Sequence, residues 1–214
     1  MPSFPPDLDF AATPLITTIE HGTVLWRIHS SIYGGTQYNP RIPGVMSGGR
    51  FDATNADTYP YLYAGGDTIA AVAETLLRDR PSEPMVYQVP FVKLRDKTIS
   101  KLEISTPLEV VKLHGGGFHA LGQSDHWLTS CGAGEYEDTR LWAQAIRRWS
   151  PVATGIEYRP RHDDDRLAYL FFGDRCPTGA FNVLNSYPMG IAGVGFTLVK
   201  RAAGKLNAVL RLPR

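Results

Sequence analysis

Cysteine is nearly absent: Cys131 and Cys176 are the two in 214 residues. They are too few for a disulfide scaffold and lack the spacing of metal ligands. Charge of either sign is not in excess. The 22 Lys plus Arg stand against 21 Asp plus Glu, a formal net charge of +1 at pH 7. No global field draws the chain to nucleic acid or to an anionic membrane, and any basic site must be local. No apolar run reaches the length of about 18 residues that a bilayer-spanning helix needs. The opening stretch MPSFPPDLDFAATP has neither a basic n-region nor a continuous apolar h-region, so it does not read as a secretory signal, and a cytoplasmic protein is expected. Internal repeats and low-complexity linkers are missing too, which favours one domain over two. No GxxxxGK[ST] occurs, so ATP hydrolysis through a P-loop is not indicated.

What is present suits one sizeable folded unit. The AVILMFWYC residues make up 43% of a 23.6 kDa chain, enough to bury a substantial core. The 21 glycines and 16 prolines predict short elements and many loops. Prolines 2, 5, 6 and 14 mark residues 1–20 as an extended arm, leaving a single domain over 21–214. Strands are expected at 23–29, 59–63, 85–92, 97–104, 155–158, 167–172 and 194–200, from β-branched, aromatic or alternating apolar patterns. A helix is expected from Thr68 to about Arg78, with Asp67 as N-cap and Ile69, Val72, Ala73, Leu76 and Leu77 as its apolar stripe. Leu141, Trp142, Ala145, Ile146 and Trp149 mark a second amphipathic helix. Thr106-Pro107-Leu108-Glu109 fits a capping box with Pro at N1 and predicts a short helix there. Residues 114–122 are Gly-rich and read as loop, and 34–51 as a long loop of the kind that carries function. Strands outnumber helices without regular alternation, which argues for an α+β class.

Three segments stand out together: Leu25-Trp26-Arg27, Gly48-Gly49-Arg50-Phe51, and Tyr61-Leu62-Tyr63 leading into the helix with Glu74. Singly, each has an ordinary explanation: an edge arginine, a turn, and an i,i+4 pair between Glu74 and Arg78 worth a few tenths of a kcal/mol. Two details favour a site at Glu74. Its neighbours one turn back, Ala70 and Ala71, are small, and the glycine pair Gly65-Gly66 precedes the helix and lets backbone approach a ligand closely. Other signals are weaker. His114, His119 and His126 have no usual metal-ligand spacing, and no metal is expected. The arginines between 140 and 161, interleaved with Trp142, Trp149 and Tyr158, have the composition of a single-strand nucleic-acid binder. With so little net charge, an amphipathic helix with core tryptophans and solvated arginines explains them better.

At these residues the chain resembles the RES family of bacterial toxins. The aromatic-Arg pair of an early strand is matched by Trp26-Arg27, the Gly-Gly-Arg-aromatic loop by Gly48-Gly49-Arg50-Phe51, and the Tyr leading to Ala-x-x-Glu by Tyr63 and Ala71-Val72-Ala73-Glu74. The later Gly-x-x-aromatic-x-Ser-Arg segment corresponds to Gly155 through Tyr158, Arg159, Pro160 and Arg161. An apolar strand closing in Phe-Gly-Asp follows, ending here at Asp174. The likeness covers roughly residues 20–175. It departs at Pro160, which stands where the family has serine and offers neither hydroxyl nor backbone N–H. The serine's role is then dispensable, taken over by a neighbour such as Arg159 or His162, or lost.

The resemblance implies an ADP-ribosyltransferase-like fold, two small sheets around an NAD cleft with flanking helices. It implies cleavage of the nicotinamide–ribose bond of NAD by hydrolysis or phosphorolysis, or ADP-ribosyl transfer to a protein. A fold that keeps the cleft but has lost turnover is the alternative. Glu74, Arg27 and Tyr63 would be catalytic, and Arg27, Arg50, Tyr63 and Arg161 would hold NAD. A cognate antitoxin is the implied partner, and a homo-oligomer is allowed.

Overall fold

A computed structural model describes residues 9–40, 48–80 and 86–213. The strands are β1 (Ile16–Ile19), β2 (Val24–Ser30), β3 (Tyr61–Gly65), β4 (Tyr87–Val89), β5 (Lys97–Ile104), β6 (Leu108–Leu113), β7 (Gly155–Tyr158), β8 (Ala168–Phe172), β9 (Phe181–Pro188) and β10 (Ala208–Leu210). The α-helices are α1 (Thr68–Thr75), α2 (Gly116–Ala120), α3 (Trp127–Ser130), α4 (Tyr136–Trp149) and α5 (Val194–Lys205). The α+β class read from the sequence holds. Ile16–Ile19, within the stretch expected to be an arm, joins the sheet by pairing with β6.

Eight strands hydrogen-bond in the order β1-β6-β7-β8-β3-β2-β5-β9, and β4 and β10 form a separate parallel pair. One junction in the large sheet is slight. β3 and β2 share a single paired position, Trp26↔Gly65, whereas β2 pairs with β5 along its whole length and β3 with β8 along its own. The two strands diverge beyond that position, so the sheet acts as two smaller sheets hinged at Trp26 and Gly65. The expected pair of small sheets around a cleft takes this form.

Alternation of side chains places different cores on the two faces. In β8, Ala168, Leu170 and Phe172 join the cluster under α2, α3 and α4, while Tyr169 and Phe171 join the one behind the sheet. A third cluster lies where α1, α5, β4 and β10 cover β2 and β5. Asp67 caps α1 as expected: its Oδ1 accepts from the backbone N–H of Ile69 and Ala70, both at 2.8 Å. Gly65 lies so close to α1 that a Cβ there would collide with the Ala70–Ala71 backbone. That glycine, and the small Ala70 and Ala71, therefore serve helix–strand contact rather than approach of a ligand.

Four local readings are corrected. Residues 108–113 form β6, not a helix. Leu108, Val110, Val111 and Leu113 are buried between β1 and β7, and this packing outweighs the local cap signal. Residues 194–200 belong to α5, not to a strand. Gly195, Val199, Ala202 and Ala203 are buried at helical spacing, a period hidden in the shorter window. Residues 116–120 of the expected loop form the short α2. The expected strand at 85–92 shrinks to β4, and Met85 lies outside the described residues.

The tryptophan reading of α4 holds, since Trp142 is in the core, but Arg147 is not solvated. It is buried with its guanidinium 4.0 Å from the Tyr59 ring centroid and 4.5 Å from that of Phe172. It pairs with Asp57 at 2.8 Å and Asp174 at 2.7 Å. Removing a cation from such a site strands its carboxylates. Arg147→Ala is expected to cost about 2–3 kcal/mol, since both aspartates keep some solvent. Calorimetry should show a melting temperature lower by roughly 5–10 °C; an unchanged value would leave the cluster without a structural role.

Candidate active site

The divergence of β2 from β3 opens a cavity of about 440 Å³. Arg27, Ile28, His29 and Ser30 line one bank, just past the hinge on β2. Tyr61 and Tyr63 of β3, Gly49 and Arg50 of the glycine loop, and Glu74 of α1 line the other. Four of the residues singled out from the sequence, Arg27, Arg50, Tyr63 and Glu74, thus meet in one hollow. Arg161 does not join them. It lies against Gly132, close enough to Cys131 and His162 to act on their ionisation.

Glu74 is 9% exposed and takes a hydrogen bond on Oε2 from the Tyr158 hydroxyl at 2.9 Å. Tyr158 is itself buried and packs edge-on against Phe51 at 5.3 Å between centroids. Burial, followed by the charge of Glu74, raises the Tyr158 pKa well above the ordinary phenol value, so this hydroxyl stays a donor. The i,i+4 alternative for Glu74 fails, because Arg78 pairs with Asp79 instead, at 3.3 Å.

Arg27 is 1% exposed. Its Nη1 donates to the carbonyls of Gly35 at 2.8 Å and Gln37 at 2.6 Å, and its Nη2 to Asn39 Oδ1 at 3.2 Å. The arginine therefore pins the 34–39 loop, yet a guanidinium has more N–H donors than these three bonds use. No carboxylate lies within ion-pair distance of it among the described residues. Burial pushes its pKa down to about 10, so it remains charged at pH 7. A buried cation held by carbonyls and lacking a counter-ion is a place for an anionic ligand.

Arg50 is equally enclosed, with Nη2 3.3 Å from the Cys131 carbonyl and its guanidinium 5.4 Å from the Tyr136 ring centroid. Its Nε and Nη1 are buried without partners among the described residues. Burial alone would lower its pKa; Glu74 first, then Tyr136 and Tyr158, hold it above the ordinary value. The loop that carries it is built by Asp52. The Asp52 carboxylate accepts from Gly49 N at 2.7 Å and from the Tyr63 hydroxyl at 2.8 Å. A Cβ at Gly48 would strike Asp52, and one at Gly49 would strike both Asp52 and Tyr63, so the glycine pair is required by close packing. The Tyr63 hydroxyl, which also accepts from Phe51 N at 3.1 Å, is spent on this loop. Its contribution to the cavity is the wall its ring provides.

His29 Nδ1 lies 2.9 Å from the Ser30 carbonyl and must donate to it, which leaves Nε2 to accept from Ser100 Oγ at 2.8 Å. Burial lowers its pKa, consistent with that neutral tautomer. Pro160 lies two residues past the end of β7 and is buried, and its carbonyl accepts from Asp163 N at 3.0 Å. Of the two neighbours considered for the missing serine's role, Arg159 faces away, into a separate cavity of about 330 Å³ with His114, His119 and His126. His162 sits beside the Arg78 main chain and within the fields of Arg161, Arg80 and Arg50, and burial first and these cations next lower its pKa. The three histidines share that second cavity, but among the described residues no three potential ligands converge as a metal site would require.

Tyr158, Asp52 and Asn39 are the contributors that sequence reasoning missed. Asp52 follows the Gly-Gly-Arg-aromatic segment directly, and a carboxylate reaching back three residues to a backbone N–H has the geometry of one half of a capping box. Tyr158 was visible as the aromatic of its segment but not as the partner of Glu74, and Asn39 becomes visible only when distant segments are brought together.

Among solved structures, the fold is similar to one titled a crystal structure of the M. tuberculosis MbcT-MbcA toxin-antitoxin complex. The TM-score is 0.62 at 12% identity, covering 87% of this chain and 92% of that one. No curated protein sequence matches. The RES domain pattern matches residues 24–187, which takes in β2 through most of β9 and every side chain lining the cavity, and the chain belongs to the RES domain family.

Proposed function

We propose that this protein cleaves the bond between nicotinamide and ribose in NAD, and that it acts as the toxin of a toxin–antitoxin pair. The carrying observation is the pairing, in one cavity, of a carboxylate held by a buried tyrosine with a buried arginine that has no counter-ion among the described residues. Breaking this glycosidic bond develops positive charge on the ribose, as in glycoside hydrolysis. Glu74 would face that charge, with Oε2 fixed by Tyr158 and its other oxygen available to a ribose hydroxyl. Stabilisation of this kind acts on the transition state more than on the substrate. The spare N–H groups of Arg27 suit one diphosphate oxygen pair, and Arg50 supplies further positive charge beside Glu74. No base is needed to break the bond, so placing the substrate is much of the catalysis. The fold neighbour was solved as a toxin bound to an antitoxin, which supports a cognate antitoxin here.

Incubating the purified protein with NAD and following free nicotinamide tests the activity. Adding phosphate separates phosphorolysis from hydrolysis, and labelled NAD in lysate detects transfer to protein. Pro160 supports one other reading, a fold that binds the dinucleotide without turning it over. In that case calorimetry would show NAD binding while nicotinamide stays bound in the dinucleotide.

Tyr158→Phe gives a finer test. Loss of a hydrogen bond to a charged group is worth about 1.5–3 kcal/mol, so kcat should fall roughly tenfold or more. A variant with a lower melting temperature but an unchanged kcat would make Tyr158 a packing residue alone.

A further inference from the structure

The cavity holds more positive charge than cleavage of NAD requires. Its lining carries five cationic side chains, Arg27, Arg50, Arg78, Lys93 and Lys97, against two carboxylates, Glu74 and Asp79. Asp79 is matched to Arg78. The other four cations have no carboxylate within ion-pair distance among the described residues. They face Glu74 alone, a surplus of three positive charges. NAD carries two negative charges on its diphosphate and one positive charge on its nicotinamide ring, so it offsets only part of that surplus.

The surplus has a position. Glu74 and Arg50 lie on the β3 bank, tied to Tyr158 and Tyr136. Arg27 and Lys97 lie on the opposite bank, and Lys97 sits across from Ser30 in the β2–β5 register, about 10 Å of strand beyond Arg27. Lys93 lines the same cavity, its Nζ 3.4 Å from the Leu76 carbonyl just past α1. With the ribose to be cleaved at Glu74 and the diphosphate at Arg27, the adenosine half runs along β2 toward Ser30, Tyr33 and the two lysines. A third phosphate on the adenosine ribose would end between them.

We infer that Lys93 and Lys97 form a phosphate-monoester subsite, and that the preferred substrate is a nicotinamide dinucleotide phosphorylated on its adenosine ribose, of the NADP class. This rests on the reading of the cavity as a dinucleotide site. Free inorganic phosphate has the same chemistry, so the test separates the two sources. The purified full-length protein is assayed for nicotinamide release from NADP and from NAD at low salt in phosphate-free buffer, then with inorganic phosphate added. A kcat/KM at least about tenfold higher for NADP is expected from one or two charge-assisted contacts. That ratio should collapse toward one in Lys93→Ala/Lys97→Ala and fall part of the way in Lys97→Gln. Added phosphate should inhibit NADP turnover more than NAD turnover. A wild-type ratio at or below one, or a ratio unmoved in the double variant, overturns the inference. So does a lysine-dependent rise of NAD turnover with phosphate and no NADP preference, which would assign the subsite to the free ion. If neither dinucleotide is consumed, the reading of the activity fails, and calorimetric binding of NADP against NAD yields the same ratio for judging the subsite by itself.

Discussion

Glu74→Gln is expected to slow nicotinamide release from NAD about a thousandfold while the protein stays folded. A carboxylate about 4 Å from a developing cation, at an effective dielectric of about 20, is worth roughly 4 kcal/mol. An energy of that size corresponds to about three powers of ten in rate. Glutamine has nearly the same shape, and its carbonyl oxygen can still accept from the Tyr158 hydroxyl, now at 2.9 Å from Oε2. The variant thus removes charge and little else. One side effect follows from the neighbourhood. Glu74 is the first of the groups that hold up the ionisation of the buried Arg50, so neutralising it leaves that cation less well compensated. A loss of a few degrees in melting temperature should accompany the change, on the scale of about 2–4 °C per kcal/mol. Circular dichroism and the unfolding midpoint separate this from collapse. Turnover within a few-fold of the parent in a folded variant would remove Glu74 from the chemistry, and with it the present account of the cavity.

Much of this site was legible because its parts are short in sequence and strict in chemistry. An arginine within a strand, two glycines before Arg50, and a glutamate beside two alanines on a helix each restrict the residue types allowed. Even so, the physical reasons attached to them changed. Gly65, Ala70 and Ala71 looked like room for a ligand, but α1 itself fills that space against β3. Tyr63 looked like a ligand contact, but its hydroxyl belongs to Asp52 and the backbone of Phe51. Such reassignments turn on which of two close neighbours arrives first, and linear spacing does not encode that. The same limit explains β6 and α5. A capping box at 106–109 and a strand-like window at 194–200 are local signals, and each lost to burial against elements far along the chain. The hinge at Trp26 and Gly65 lay wholly outside what periodicity could show, since it depends on where two strands cease to pair.

Arg27→Ala should weaken NAD binding by about a hundredfold or more, and Arg27→Lys should fall between it and the parent. Hydrogen bonds to a charged group contribute roughly 1.5–3 kcal/mol each, and two such contacts to a diphosphate account for that loss. The structure adds a second consequence that a simple anion contact would not have. The same guanidinium holds the carbonyls of Gly35 and Gln37 and the side chain of Asn39, so the alanine variant releases the 34–39 loop and leaves its carbonyls without their donor. Amide hydrogen exchange in residues 34–39 should therefore rise along with the dissociation constant, even without NAD. Lysine restores the charge but not the planar fork. It can satisfy one carbonyl or the ligand, and the loop should stay loose while part of the affinity returns. Calorimetry on both variants, with exchange measured on the ligand-free proteins, separates the two roles. If NAD binds Arg27→Ala as tightly as the parent while the loop loosens, Arg27 is a loop fastener and the diphosphate sits elsewhere. If affinity falls and exchange does not, the loop is held by other contacts and the guanidinium serves the ligand alone.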